Sequence, residues 1–152
     1  MKKIIVFLLV ACTLIACNKE SDVDEILFVC THGAARSPIA AAYFNKLAKE
    51  NNLNFYAVFK GTEPNKELTK ETIIGLEKDG FSIEDWKPEK VSSQDIEKAY
   101  KIVTFDCSVP PKKPSTLKEE WNNTPSISKD YNTARNVIKE KVEQLIENLK
   151  KE

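Results

Sequence analysis

The sequence predicts an α/β fold in which a small, doubly wound, parallel four-stranded sheet carries helices on both faces. Short apolar runs alternate with helical patterns along the chain, which is typical of such sheets. Residues 26–29 are all apolar, as expected for a strand buried in a parallel sheet. The clearest helix comes last, and one of its faces carries a stripe of apolar residues: Ala134, Ile138, Val142, Leu145 and Leu149.

The order of elements follows from local signals. Ser37 followed by Pro38 has the pattern of a helix N-cap and first turn, and that helix is expected to run to about residue 51. Residues 110–114 are rich in proline and are expected to form a surface loop. The other predicted elements are a strand at 55–59, a helix at 68–78 ended by Gly80, a short helix at 93–100, a strand at 102–105 and a short fourth strand closed by Trp121.

Length and charge restrict the classes of function. A chain of 152 residues forms one domain of ordinary size. Its 23 basic residues balance 23 acidic ones, so it lacks the basic excess by which proteins neutralise nucleic-acid phosphates. A nucleic-acid partner is not expected.

The first residues have the layout of an export signal. Lys2 and Lys3 precede an apolar run at 4–16 that is short for a membrane span. The run ends in Leu-Ile-Ala-Cys, which resembles the lipobox of bacterial lipoproteins, where the cysteine is acylated after cleavage. We therefore expect a signal peptide at 1–16, lipidation of Cys17, an acidic tether at 17–24 and a domain at 25–152, anchored to a bacterial membrane and facing the periplasm or cell surface. The alternative is an ordinary cleaved signal with an incidental Cys17.

The candidate site is the loop between the first predicted strand and the first predicted helix. Ligands bind where parallel strands end, and a helix N-terminus attracts anions. The loop residues are mostly small, so their backbone N–H groups can turn inward around an oxyanion, and Arg36 adds a planar fork of donors. Cys30, facing these positive groups, is placed as a thiolate nucleophile, and Ser37 could donate its hydroxyl to the sulfur. The proposed oxyanion-binding residues are Thr31, His32, Gly33, Ala34, Ala35 and Arg36.

Residues 28–37 resemble the phosphate loop of low-molecular-weight protein tyrosine phosphatases and the related arsenate reductases, which share a Cys-x5-Arg-Ser pattern. The resemblance implies that Cys30 attacks phosphorus, that Arg36 and the loop amides stabilise the transition state and that Ser37 supports the thiolate. Gly33 departs from the pattern, because the phosphatases usually carry asparagine there in a left-handed conformation, which glycine also tolerates. The alternative is that Cys30 is a buried structural cysteine and not a nucleophile.

A second departure concerns the general acid. The phosphatases use an Asp-Pro aspartate before the last helix, whereas this chain has Thr124-Pro125. Loss of a general acid removes its contribution to the reaction rate, which is about 10²- to 10⁴-fold. Asp130 is the nearest substitute; the alternative, which the sequence favours, is that Asp130 is the N-cap or a first-turn residue of the last helix.

Cys107 offers a competing chemistry, since it lies in a place resembling the redox-cysteine region of arsenate reductases. Arsenate would add to Cys30, and a second thiol would then release arsenite and leave a disulfide. No further cysteine follows, so an external thiol is needed. Cys107 can instead be a packed core thiol, or can pair with Cys30 in an oxidising compartment.

Three hypotheses follow from these residues. The first is a cysteine-dependent phosphatase acting on phosphorylated proteins or small aryl phosphates, and the second is an arsenate reductase. The third is a tethered module that binds oxyanions without turnover. No cofactor and no metal is expected in any of them.

Overall fold

The computed structural model describes residues 23–110 and 116–151. The predicted signal peptide, Cys17 and most of the tether lie outside these residues, as does all but the first residue of the proline-rich segment. Asp24, assigned to the tether, is the first residue of a strand. Within the described part of the chain, no helix is long and apolar enough to cross a membrane.

Residues 23–110 and 116–151 form four strands and four helices in the order predicted. In chain order the elements are β1 (Asp24–Cys30), α1 (Arg36–Glu50), β2 (Phe55–Gly61), α2 (Lys70–Lys78), α3 (Ser93–Lys98), β3 (Ala99–Phe105), β4 (Leu117–Glu120) and α4 (Tyr131–Leu149). The strands form one parallel sheet in the order β2-β1-β3-β4, and the short β4 lies at an edge beside β3.

The alternating side chains of β1 build a separate core on each face of the sheet. Ile26, Phe28 and Cys30 pack on the face covered by α1 and α4. Leu27 and Val29 pack on the other face, against α3. Residues 26–30 of β1 are buried between the helices on the two faces and are all apolar, which is why this part of the strand was predictable from composition alone.

The apolar stripe of α4 is buried as predicted. All five residues of the stripe are at most 4% exposed, and Ile146 joins them. Asp79, which follows α2, stabilises the start of α4. Its Oδ2 accepts hydrogen bonds from the Tyr43 and Tyr131 hydroxyls, each at 2.8 Å. Its Oδ1 forms an ion pair with Arg135 at 3.1 Å. These contacts hold α1, α2 and α4 together at one end of the domain.

Several predicted boundaries were wrong. Tyr100 belongs to β3 and not to the preceding helix, because the chain from Ala99 onward pairs with β1. The helix predicted from residue 68 begins at Lys70, since Thr69 is its N-cap and accepts from the Thr72 N–H. The second strand continues to Gly61 through its pairing with Cys30.

Candidate active site

The loop after β1 lies at the centre of the sheet edge where the parallel strands end. Cys30 is the last residue of β1, flanked in register by Gly61 of β2 and Phe105 of β3. Loops following all three strands therefore meet around it. This is the position at which open α/β sheets place their ligands.

The backbone of the loop is fixed by the segment that follows β2. The carbonyl groups of four loop residues accept hydrogen bonds of 2.8–3.2 Å from N–H groups of that segment, and those residues are Cys30, Thr31, His32 and Ala34. In a trans peptide the C=O and the next N–H point in opposite directions. Turning these carbonyls outward therefore turns the amides of Thr31, His32, Gly33 and Ala35 toward the inside of the loop, which forms a nest for an anion.

Two glycines allow this close approach. Gly33 has φ of +59°, a left-handed conformation that a glycine adopts without strain. A Cβ on Gly61 would lie 2.8 Å from Gly33 N and 2.9 Å from His32 C, so the end of β2 touches the loop backbone directly. His32 itself is exposed, and its Nδ1 donates to the Glu63 carbonyl at 3.1 Å. This hydrogen bond links the loop to the segment that follows β2.

Cys30 is 3% exposed, and its sulfur lies 3.1 Å from the hydroxyl oxygen of Ser37. The same hydroxyl donates a longer bond of 3.4 Å to the Lys60 carbonyl. The hydroxyl can accept from the thiol while the sulfur is protonated, and can turn its hydrogen to the sulfur once a thiolate forms. The prediction that Ser37 is the N-cap was wrong: α1 begins at Arg36 after Ala35, and the Ser37 side chain is directed to the sulfur.

Arg36, the first residue of α1, pairs with the carboxylate of Asp106. Asp106 comes directly after β3 and has φ of +47°, and its Oδ1 accepts from the Asn123 N–H at 3.1 Å. Asp106 was not among the site residues predicted from the sequence. Its position after a strand neighbouring β1 is the signal that could have found it, because the carboxyl ends of parallel strands share one edge.

A cavity of about 280 Å³ opens beside Arg36. Thr124 is buried in its wall, and the Thr124 hydroxyl donates to the Trp121 carbonyl at 2.9 Å. Ser126 and Ser128 are exposed, and their hydroxyls lie 2.9 Å apart. The residues that line the cavity are Ala35, Arg36, Thr69, Thr124, Ser126, Ile127 and Ser128.

Asp130 does not line this cavity; it is the N-cap of α4. One carboxylate oxygen accepts from the Thr133 N–H at 3.1 Å and the other from the Thr133 hydroxyl at 2.6 Å. The hydrogen bonds from the Thr133 hydroxyl and N–H lower the pKa of Asp130 below its ordinary value. In this structure the carboxyl group is held as an acceptor by the helix.

Cys107 is half-buried and packs on the face of the sheet opposite to Cys30. Its thiol donates to the Val29 carbonyl at 3.4 Å, and burial raises its pKa. Both cysteines are free thiols. No group of three or more His, Cys, Asp or Glu side chains within residues 23–110 and 116–151 is arranged to hold a metal.

The fold and the loop define a class: a parallel α/β domain with a Cys-x5-Arg loop after its first strand. The sequence model of low molecular weight phosphotyrosine protein phosphatase matches residues 25–120, which is more than half of the chain. The chain therefore belongs to the family of low molecular weight phosphotyrosine phosphatases and arsenate reductases. A search of curated proteins finds no match to the sequence.

Solved structures of arsenate reductases and of protein tyrosine phosphatases share this fold. The thioredoxin-dependent arsenate reductase from Corynebacterium glutamicum is 22% identical with a TM-score of 0.73, and the match covers 86% of this chain but only 64% of that one. An arsenate reductase from Archaeoglobus fulgidus is 28% identical with a TM-score of 0.62, covering 80% of this chain and 98% of the other. A protein tyrosine phosphatase from Entamoeba histolytica is 19% identical with a TM-score of 0.72, covering 85% and 97%.

Proposed function

We propose that this protein is a cysteine-dependent phosphatase that hydrolyses aryl and tyrosyl phosphate monoesters through a thiophosphate on Cys30. The observation that carries this proposal is the buried Cys30 sulfur, 3.1 Å from the Ser37 hydroxyl, at the base of a loop whose amides turn inward. A tetrahedral dianion placed in this nest would have its phosphorus facing the sulfur. Arg36 stands at the rim to bind two of the oxygens.

The reaction takes two displacements. The Cys30 thiolate attacks phosphorus, an S–P bond forms, and the P–O bond to the leaving group breaks. Water then attacks the thiophosphate and the sulfur leaves as a thiolate, which the Ser37 hydroxyl stabilises. Inward amides and Arg36 hold the equatorial oxygens in both steps, where charge is spread over them. Asp106 accepts from Nη1 of Arg36 only, so the other N–H groups of the guanidinium can bind phosphoryl oxygens, with the Asp106 carboxylate competing for its positive charge.

The test is hydrolysis of para-nitrophenyl phosphate by the reduced full-length chain, alongside Cys30→Ser and Asp130→Ala. We expect phosphate release from the wild type and none from Cys30→Ser. Activity that survives Cys30→Ser would exclude the proposal. Phosphate binding without any turnover in the wild type would favour the module that binds oxyanions only.

Arsenate reduction is the second candidate, favoured by the position of Cys107 two residues after β3, the strand that pairs with β1. Cys107 would attack the Cys30 sulfur of an arsenate adduct, releasing arsenite and leaving a disulfide that an external thiol must reduce. The Cys107 thiol is engaged with the Val29 carbonyl on the other face of the sheet, so this step needs a rearrangement after β3. Arsenate turnover that is untouched by Cys107→Ala would exclude it.

We also propose that the domain is exported and tethered to a membrane by lipid on Cys17. Support comes from the sequence alone: the lysine pair, the apolar run and the Leu-Ile-Ala-Cys ending. Cys17→Ser is expected to abolish labelling with radioactive palmitate and to release the protein from the membrane fraction. Unchanged labelling in this variant would contradict lipidation at Cys17.

A further inference from the structure

The outer edge of β2 faces away from β1 and is covered in two places. Along an edge strand, alternate residues direct both their N–H and their C=O groups outward. Gly61 is one such residue: its N–H donates to the Glu89 carbonyl at 2.8 Å, and its C=O accepts from the Val91 N–H at 2.9 Å. By the same alternation, Ala57 and Phe59 also direct their main-chain groups to this edge.

The main-chain groups of Ala57 are both bound by one exposed side chain, that of Asn45 on α1. The Ala57 N–H donates to Asn45 Oδ1 at 2.6 Å, and Asn45 Nδ2 donates to the Ala57 carbonyl at 3.0 Å. A primary carboxamide carries one acceptor and two donors, so a single amide group can satisfy both main-chain groups of a strand residue. This contact shows which chemistry the edge of β2 recognises.

Phe59 lies between these two covered positions. Within residues 23–110 and 116–151, the hydrogen bonds made to the outer edge at Ala57 and Gly61 have no counterpart at Phe59. Its N–H and C=O therefore present the same pair of groups that Asn45 binds two residues earlier. Unpaired main-chain groups on an edge strand are a ready site for a matching partner.

A cavity of about 430 Å³ opens along this stretch of β2, between α1 and residues 85–89. Small-molecule sites have volumes of about 300–1,000 Å³ and are lined by aromatic groups with a few polar ones. The half-buried Trp86 ring provides the aromatic wall: its centroid lies 5.2 Å from that of the Phe59 ring, with 37° between the planes. The cavity thus places a flat apolar surface beside an unpaired N–H and C=O.

We propose that this cavity is a binding site for a planar aromatic carboxamide. The amide group pairs with the Phe59 N–H and C=O as Asn45 pairs with Ala57, and the aromatic ring packs against Trp86. The ring and the amide are joined directly, so one flat molecule reaches both features.

The charges of the lining favour an uncharged ligand of this kind. Two basic side chains, Lys60 and Lys87, accompany two acidic ones, Asp85 and Glu89. Lys60 and Glu89 already form an ion pair with each other. Residues 89–91 cover the edge at Gly61, where β2 meets the loop after β1, so this site is distinct from the one that contains Cys30 and goes beyond the proposed phosphatase function.

The first experiment titrates the ¹⁵N-labelled full-length chain with benzamide and follows the amide resonances. We expect the largest shifts at the Phe59 N–H and the Trp86 Nε1–H, and little change at the Val58 N–H, which faces β1. Acetophenone is the matched probe, because it has the same shape without an N–H donor. It should bind at least about tenfold more weakly, since it leaves the Phe59 carbonyl unpaired.

Two outcomes of this titration would overturn the proposal. One is the absence of shifts at Phe59 up to about 10 mM benzamide, a concentration at which a ligand of this size with two hydrogen bonds and a stacked ring is bound. The other is equal binding of benzamide and acetophenone. Displacement of benzamide by inorganic phosphate would place the probe in the loop after β1 and would also contradict the site.

The second experiment changes the aromatic wall. Trp86→Leu keeps an apolar side chain but removes the flat ring, and it should weaken benzamide binding about three- to tenfold. Ile74→Ala, which shortens an exposed apolar side chain on α2 outside the cavity, is the control and should bind benzamide as the wild type does. Unchanged binding in Trp86→Leu would contradict the proposal. Should Trp86→Leu fail to fold, as read from its thermal unfolding, the comparison of benzamide with acetophenone decides alone. Neither experiment depends on turnover, so a failure here leaves the proposed phosphatase function untouched.

Discussion

The hydroxyl oxygen of Ser37 lies 3.1 Å from the sulfur of Cys30, and both side chains are buried. The contact joins the last residue of β1 to the first turn of α1, across the whole loop. A hydrogen bond to a charged partner contributes about 1.5–3 kcal/mol. For the Ser37 hydroxyl, the charged partner is the Cys30 thiolate that forms when the thiophosphate breaks down.

Removing this hydroxyl is therefore expected to slow turnover. Ser37→Ala should lower kcat about 10- to 100-fold, with a smaller effect on KM, because the bond is strongest when the sulfur carries a full charge. Steady-state kinetics with para-nitrophenyl phosphate checks this. Ser82→Ala, at an exposed serine outside the site, is the matched control. An unchanged kcat in Ser37→Ala would show that the hydroxyl serves only the structure of the loop.

The ion pair between Arg36 and Asp106 predicts competition for the guanidinium. Asp106→Asn keeps an oxygen for the Asn123 N–H but removes the charge, so inorganic phosphate should bind about two- to fivefold more tightly. The measurement is the inhibition constant of phosphate at low ionic strength. Glu140→Gln changes net charge equally on the exposed surface of α4 and should have no effect. Weaker phosphate binding in Asp106→Asn would mean that the carboxylate orients Arg36 instead.

Asp79 predicts a large effect on stability far from the loop. Asp79→Ala leaves the Tyr43 and Tyr131 hydroxyls and the Arg135 guanidinium without their shared acceptor, and we expect a loss of about 2–3 kcal/mol in the free energy of unfolding. Urea denaturation checks this. Asp85→Ala, at an exposed aspartate, is the control and should change stability little. A loss in Asp79→Ala no larger than in the control would contradict the role of this cluster.

Tyr56 predicts a dependence of stability on pH. Its hydroxyl donates to Glu25 Oε2 at 2.6 Å, and this hydrogen bond, followed by burial, raises the pKa of Tyr56 to about 12. Because the folded pKa lies above the ordinary value of about 10, the stabilisation is fully present below pH 10 and is lost as pH rises toward 12. Tyr56→Phe should weaken the fall in unfolding free energy between pH 10 and 12. The same fall in both proteins would contradict this assignment.

The elements that sequence reasoning predicted well are those whose signals are local. Residues 26–30 of β1 are all apolar, and α4 repeats apolar residues at helical spacing, so the burial of each element is visible in its own sequence. The loop after β1 could be identified as the candidate site for the same reason, since its small residues and Arg36 are adjacent in the chain. Strand β4 carries only a weak signal: its sequence is Leu-Lys-Glu-Glu, with no buried side chain, and its pairing with β3 alone makes it a strand.

What escaped prediction depends on contacts between distant segments. The pair formed by Arg36 and Asp106 joins residues 70 positions apart and needs the left-handed backbone of Asp106. The direction of the Ser37 side chain depends on the Cys30 sulfur and the Lys60 carbonyl, which outweigh a general preference of serine for helix caps. Neither contact leaves a periodic pattern in the sequence.

The contact between Gly33 and Gly61 restricts the paths along which this chain can evolve. A Cβ on Gly33 would lie 3.0 Å from Gly61 N, and one on Gly61 would lie 2.8 Å from Gly33 N. Neither position can therefore gain a side chain unless the backbone at the other position moves away. The effect of a mutation at Gly33 thus depends on where the end of β2 lies, and the effect of one at Gly61 depends on the loop. A lineage that began with glycine at both positions would have to shift the end of β2 before it could carry a side chain at position 33.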